Sequence, residues 1–253
     1  MDIPFEPVVF GVKVNVHLIL EYAAFFVGFR YYLNLRKRSL DPISSTNRLS
    51  IIIGAVFGAF FGSRIVGFLE HPIFSFDLEH LIAILSAKTI MGGLFGGLLG
   101  VELAKKIIGE KESSGDLFTF PIILGIIIGR VGCFLAGIKE FTYGKETAFF
   151  TGMDLGDGLA RHPIALYEVV FLLLLWIALS YAKNKQTLEK GLVFKYFMIC
   201  YFLFRFLVEF LKPNIFLILG LSSIQYLCIL CFVYYHKTIK HKLFYANKII
   251  HLL

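Results

Sequence analysis

The sequence predicts an all-α fold: a polytopic membrane protein of about seven transmembrane helices, with the N-terminus outside and the C-terminus inside. Three observations carry this. Apolar residues make up 57% of the chain and mean hydropathy is +0.76, too apolar for a soluble domain of 253 residues. The polar residues gather in short patches between apolar runs of about 18–22 residues, the length that crosses a bilayer. Lys and Arg alternate in density from one connection to the next, as the positive-inside rule requires.

Taken in order, the apolar runs place spans at about 14–33, 48–69, 90–108, 118–138, 163–183, 191–211 and 215–235. With the first connection inside, the inner side holds Arg30, Arg36, Lys37, Arg38, Arg48, Lys105, Lys106, Lys111, Lys183, Lys185, Lys190, Lys195, Lys237, Lys240, Lys242 and Lys248. The outer side holds only Lys13, Lys88, Lys139, Lys145, Arg161 and Lys212. The net charge of +7 therefore records topology and does not point to nucleic acid. The start, "MDIPFEPVVF", lacks a basic region, an apolar stretch and a small-residue cleavage site. The first span is accordingly expected to stay in the mature protein.

One integral membrane domain over 1–253 is expected. Its longer outer connections are an interfacial helix at about 71–88 and a glycine-containing loop at about 139–162. Glycines recur every four residues at Gly54/Gly58/Gly62, at Gly92/Gly96/Gly100 with Gly93/Gly97, and at Gly125/Gly129. That spacing puts each set on one helix face, where neighbouring backbones can approach closely. Cys228 and Cys231 form a C-x-x-C without a second pair or a histidine set, which fits apolar helix packing better than metal or redox chemistry. "DLGDG" at 154–158 lacks the alternating oxygen ligands of a calcium loop and reads as a turn.

Ionisable residues inside spans are costly and mark functional sites by default. Arg64, Arg130 and Arg205 each precede the outer end of a span, all at roughly 8–12 Å below the boundary. Glu21, Tyr22, Tyr167, Glu168 and Gln225 fall in the same outer-leaflet layer. Arginine keeps its charge when desolvated and offers a planar fork of donors suited to phosphate. Two or three of them with acids nearby suit a phospholipid head. The competing reading is a structural ion-pair network, for which Arg205 and Glu209, spaced i, i+4, are well placed. Arg130 has no acid at i±3 or i±4 and needs a partner from another helix or a ligand.

In chain order, "YAAFFVGFR" (22–30), "GAFFGSRIVGFL" (58–69), "MGGLFGGLLG" (91–100), "GRVGCFLAG" (129–137), "ARHPIALYE" (160–168) and "YFLFRFLVEFLKP" (201–213) resemble blocks of the prolipoprotein diacylglyceryl transferase family. The resemblance implies a bacterial inner-membrane protein with seven spans. It implies a transferase that moves the diacylglyceryl group of phosphatidylglycerol onto the thiol of a lipobox cysteine in a prolipoprotein, releasing glycerol phosphate. Neither a metal nor a nucleotide cofactor is implied. Carried over, Arg130, between Gly129 and Gly132, falls on the family's first essential arginine and Arg205 on its second, both holding the phospholipid phosphate. Glu209, Arg64, Arg161, Tyr167, Glu168 and Gln225 fall on further polar positions. The chain departs from the family pattern at Cys133 and Ala136, where it has asparagine, and at Ile138, where it has glutamate. It also departs at Met91, where the family has histidine, and at Glu21, where it has tyrosine.

Transfer to a thiol needs a thiolate, since the free thiol with pKa ~8.5 is a poor nucleophile at neutral pH. Met91 cannot take the proton. His162, Glu168, Glu21 and, from the outer loop, Glu140 can, and His162 matches neutral pH best with an ordinary pKa of ~6.5. Three readings stand: a transferase of the prolipoprotein type; a transferase with the same donor and another acceptor, such as an alcohol, a sugar or a different lipid; and a lipid-binding or lipid-moving protein without catalysis.

Overall fold

The computed structural model describes residues 3–70, 72, 87–185, 189–214 and 217–240. The fold is helical, with α1 (Val16–Arg38), α2 (Ser45–Glu70), α3 (Ile90–Ile108), α4 (Asp116–Ala136), α5 (Ile164–Lys185), α6 (Leu192–Val208) and α7 (Ser223–Tyr234). Two antiparallel two-residue hairpins accompany them: β1 (Val8–Val9) with β2 (Val12–Lys13), and β3 (Met153–Asp154) with β4 (Ala160–Arg161). Among the described residues, three helical segments are long and apolar enough to cross a membrane: Ser45–Glu70, Asp116–Lys139 and Ile164–Lys185. Large apolar side chains such as Phe25, Phe57, Leu174 and Ile177 are exposed on helix surfaces. Apolar surface on that scale belongs against lipid, and the chain is a polytopic membrane protein.

The expected spans and the helices differ at their ends. The first helix continues past 33 to Arg38, closing on Arg36, Lys37 and Arg38, whose charges suit a helix C-terminus. The seventh begins at Ser223, not near 215. Just before it, Leu219 and Gly220 have φ of 49° and 79°, and Ile218 and Leu221 exchange backbone hydrogen bonds of 2.9 and 3.0 Å. That turn is as apolar as a span, so hydropathy alone cannot see it. The interfacial helix expected at about 71–88 falls largely outside the described residues.

The chain packs as two compact units. The first comprises Met1–Pro42, Ser113–Phe194 and Leu207–Pro213. Here α4 is the central element. Tyr32 of α1 stacks on Phe118 of α4 with ring centroids 4.5 Å apart, and Trp176 of α5 lies against both Tyr31 and Phe120. Asp116, at the start of α4, accepts from the Gly191 N–H at 2.6 Å and the Phe194 N–H at 3.0 Å. It thereby satisfies donors that the first turn of α6 would leave orphaned.

The second unit comprises Ile43–Glu112, Lys195–Phe206 and Asn214–Leu253. Its spine is the α2–α3 contact, where the glycine ladders meet as expected. A Cβ on Gly54, Gly58 or Gly62 would sit 2.6, 2.2 or 2.4 Å from the carbonyl oxygens of Gly100, Gly96 and Gly92 respectively. No side chain fits there, so the two backbones touch directly. Gly93 and Gly97 face looser ground, with nearest atoms at 3.8 and 3.5 Å. At the start of α3, Thr89 accepts from the Gly92 N–H at 3.1 Å, while its own N–H donates to Ser63 Oγ at 2.9 Å. Ser222 and Gln225 form a reciprocal capping box at the start of α7.

Candidate active site

The polar residues of the first unit converge on α4. Arg130 is buried at 6% exposure, within the helix that carries Pro121, Gly125, Gly129 and Gly132. Its Nε lies 2.8 Å from Oε1 of Glu168 on α5, a carboxylate with no exposed surface. Of the two partners the sequence left open, another helix or a ligand, the structure supplies the first in Glu168. A buried guanidinium is costly unless paired, and Glu168 supplies the opposite charge. Gly129 faces open space, with nothing within 4 Å of where a Cβ would stand, whereas Gly132 backs onto Leu20 and His17 at 3.2–3.4 Å.

Around the other side of α4 lies a cluster that was not anticipated. Arg130 Nη1 is 3.8 Å from Cys133 Sγ. The same sulfur is 3.5 Å from Nε2 of His17 on α1, and His17 Nδ1 is 3.2 Å from Oε1 of Glu140. Local structure explains how Glu140 gets there. Gly137 ends α4 at φ 58°, with Leu155 O only 2.2 Å from where a Cβ would stand, so glycine alone permits the turn. The 3-10 turn Gly137–Lys139 then brings Glu140 back towards α1. Glu21 lies one turn after His17 on α1, a spacing that shares a face, whereas Tyr22 is 69% exposed and turned outward.

The outer loop contributes a second chain of contacts. His162 Nδ1 is 3.0 Å from the Tyr167 hydroxyl, which also makes a short contact to the Thr151 hydroxyl. Arg161 grips Asp157 with both Nε and Nη2 at 2.7 Å and lies over the Tyr143 ring at 5.3 Å. "DLGDG" is the turn expected: Asp154 accepts from the Gly156 and Gly158 N–H groups at 2.8 and 3.0 Å. Those two donors hold the Asp154 carboxyl below its ordinary pKa. Glu209 opens the 3-10 turn after α6, and its Oε1 lies 3.6 Å from Lys212 Nζ, which also sits over the Phe141 ring.

In the second unit, Arg64 donates from Nη1 to the Ala87 carbonyl at 3.2 Å and lies over the Phe60 ring at 5.1 Å. Arg205 and Gln225 are buried at 3% and 2% exposure. Gln225 is committed to its helix cap and also donates from Nε2 to Phe206 O at 3.2 Å. Since α7 starts at Ser223, Gln225 sits in its first turn and not about ten residues inside a span. Met91 is buried in the first turn of α3.

Helices with lipid-facing surfaces and a buried arginine–carboxylate centre define a membrane-embedded protein built around charge held within the bilayer. The family described as prolipoprotein diacylglyceryl transferase matches the chain over residues 7–238. The chain belongs to this family of transferases. Three phosphatidylglycerol–prolipoprotein diacylglyceryl transferases give the range of similarity. The Rickettsia felis protein is 32% identical over 83% of this chain and 85% of its own length. The Campylobacter lari protein is 27% identical over 93% and 94%. The Geobacter sulfurreducens protein is 30% identical, the match spanning 64% of each.

Proposed function

We propose that this protein transfers the diacylglyceryl group of phosphatidylglycerol to the lipobox cysteine thiol of a prolipoprotein, acting as a seven-span enzyme of the bacterial inner membrane with its N-terminus outside. The observation that carries the reading is Arg130, a buried guanidinium paired with Glu168 within an apolar helix of a chain that belongs to this family. In the reaction, the acceptor thiolate attacks the glyceryl carbon next to the phosphate. A C–S bond forms, the C–O bond to phosphate breaks, and glycerol phosphate departs with the electron pair. Charge grows on the phosphate oxygens as it leaves, and a guanidinium fixed in advance stabilises it without reorganising. The resemblance assigns the phosphate to Arg130 and Arg205, and gives Arg64, Arg161, Tyr167, Glu209 and Gln225 as further polar positions. Gly129 leaves room beside Arg130.

His162 serves as the base. In this role Nδ1–H donates to Tyr167 and Nε2 takes the thiol proton; the ring's contact with Tyr167, itself in contact with Thr151, supports the assignment. Glu21, on the His17 face of α1, is the alternative acceptor of that proton. No metal or nucleotide is required by this chemistry. A second reading, the same donor with another acceptor, is favoured by Met91, 1% exposed where the family has histidine.

The test uses purified protein, phosphatidylglycerol vesicles and a lipobox peptide. The expected product is a peptide heavier by one diacylglyceryl group, with Arg130→Lys slowed ~10²–10³-fold, the usual loss when a fixed charge-stabilising donor is misplaced. An unmodified peptide under conditions where the Rickettsia felis relative modifies it would remove the lipobox thiol as acceptor. Wild-type rates from Arg130→Lys would remove the phosphate-holding role.

A further inference from the structure

The cluster of Cys133, His17 and Glu140 has the order of a nucleophilic triad: carboxylate to Nδ1 at 3.2 Å, then Nε2 to sulfur at 3.5 Å. None of the three is a residue that the resemblance assigns to the transfer. Cys133 stands where the family has an asparagine, an amide that neither ionises nor attacks. We infer that Cys133 is a nucleophile that takes an acyl group from an ester of a membrane glycerolipid, with His17 as its base, Glu140 as the residue positioning the base, and Arg130 facing the carbonyl oxygen. The choice of a glycerolipid rests on the phospholipid-holding reading of Arg130 given above.

The geometry fixes the proton path. Glu140, as carboxylate, accepts from Nδ1–H, so neutral His17 turns the lone pair of Nε2 towards the thiol. The Cys133 proton passes to Nε2 and Sγ attacks the ester carbonyl carbon. The resulting oxyanion lies beside Arg130, whose Nη1 is already 3.8 Å from the sulfur. The C–O ester bond then breaks, and the lysolipid alkoxide leaves with the proton from His17. The product on Cys133 is a thioester, which water hydrolyses to a fatty acid and the free thiol. Cys133 also borders a recess of about 10 Å³ with Thr142, Tyr143, Leu155 and Ile164, room for one water such as the one that hydrolyses the thioester.

The alternative electrophile at the same site is the glyceryl carbon that the family's transfer uses. Attack there would leave a thioether on Cys133, and a thioether sulfur is not displaced again. A thioester can turn over; a thioether ends the enzyme after one event. The chemistry of the nucleophile therefore selects the acyl carbonyl.

The experiment uses the full-length protein in detergent with mixed vesicles of phosphatidylglycerol and phosphatidylcholine, read by intact mass and peptide mapping. The expected result is one acyl group on Cys133, removed by hydroxylamine and absent from Cys133→Ala. Iodoacetamide, applied without lipid, is expected to alkylate Cys133 at neutral pH faster than Cys200. His17→Gln should slow acylation by ~10²–10⁴-fold, the usual contribution of a positioned base, and move Cys133 alkylation to higher pH. Glu140→Gln should slow acylation less and shift the same profile, an effect that loss of packing alone would not produce. These readouts keep the test informative if Cys133→Ala folds poorly. A hydroxylamine-stable adduct carrying a whole diacylglyceryl group, an acyl group on another residue, or no acyl group on Cys133 would each overturn the inference. Lipobox-peptide transfer in the same preparation separates the two proposals. Transfer without Cys133 acylation sinks only this one, and acylation without transfer sinks only the other.

Discussion

Replacing Gly58 by alanine tests the claim that α2 and α3 meet backbone to backbone. Alanine at a helix interior position normally gains about 1 kcal/mol over glycine. Here the added Cβ would stand 2.2 Å from Gly96 O and 3.0 Å from both Gly96 C and Gly100 Cα. Contacts under 3.0 Å are essentially never seen for a real Cβ, so the helices must separate by nearly an ångström at that point. All three obstructing atoms are main chain, and no side chain can rotate away. Overpacking in a rigid contact costs typically ~1–3 kcal/mol, and the upper end applies. After the helix gain, Gly58→Ala should lose about 2 kcal/mol. Gly97→Ala is the matched control, one face over on the partner helix, where the nearest atoms lie at 3.5 and 3.6 Å. It keeps the gain and should be stabilised by up to about 1 kcal/mol. Reversible SDS-induced unfolding in mixed micelles, followed by circular dichroism, measures the difference. Equal stability of the two variants would refute the backbone contact and with it the reading of the glycine ladders.

Glu168→Ala, in a position with no exposed surface, should cost ~3–5 kcal/mol because it strands the Arg130 charge. A loss under about 1 kcal/mol in the same assay would show that the guanidinium does not depend on Glu168. Ser222→Ala removes one half of the α7 capping box and should cost about 1 kcal/mol; an unchanged midpoint would contradict the cap. The depressed Asp154 carboxyl stabilises its turn above the ordinary aspartate pKa of ~3.9. That contribution disappears as pH falls through the folded value, so protection of the Gly156 and Gly158 amides should drop in acid. In Asp154→Ala the protection should be weak at every pH, and a variant protected like the wild type would exclude the carboxylate as the acceptor.

What the sequence made legible follows physical rules with short range. The four-residue spacing of Gly54, Gly58 and Gly62 puts them on one helix face without knowledge of the partner, and the structure supplies Gly100, Gly96 and Gly92 as that partner. Arg130 lacked a local acid, which called for a partner from another helix or a ligand, and Glu168 is one such partner. The turn at Asp154 was readable because both its donors lie within four residues. The start of α7 was not, because Ile218, Leu219 and Leu221 are as apolar in a turn as in a span. His17, Cys133 and Glu140 were missed as a group for a different reason. They sit on α1, α4 and the loop beyond, and nothing in their spacing marks a meeting. The available signal was chemical: a thiol in place of an amide, together with a histidine at the mouth of the first apolar run and a glutamate just after the block.

The cap that Asp116 places on α6 has a further consequence for geometry. A helix whose first donors are held by a carboxylate on α4 cannot slide along its own axis without losing them. A slip of one residue would turn everything downstream by about 100° around that axis. The bearing of the first turn of α6 is thus indexed to a residue encoded in the middle of the chain. Shortening or lengthening the connection before Gly191 leaves that bearing intact; shifting Asp116 by a single position does not.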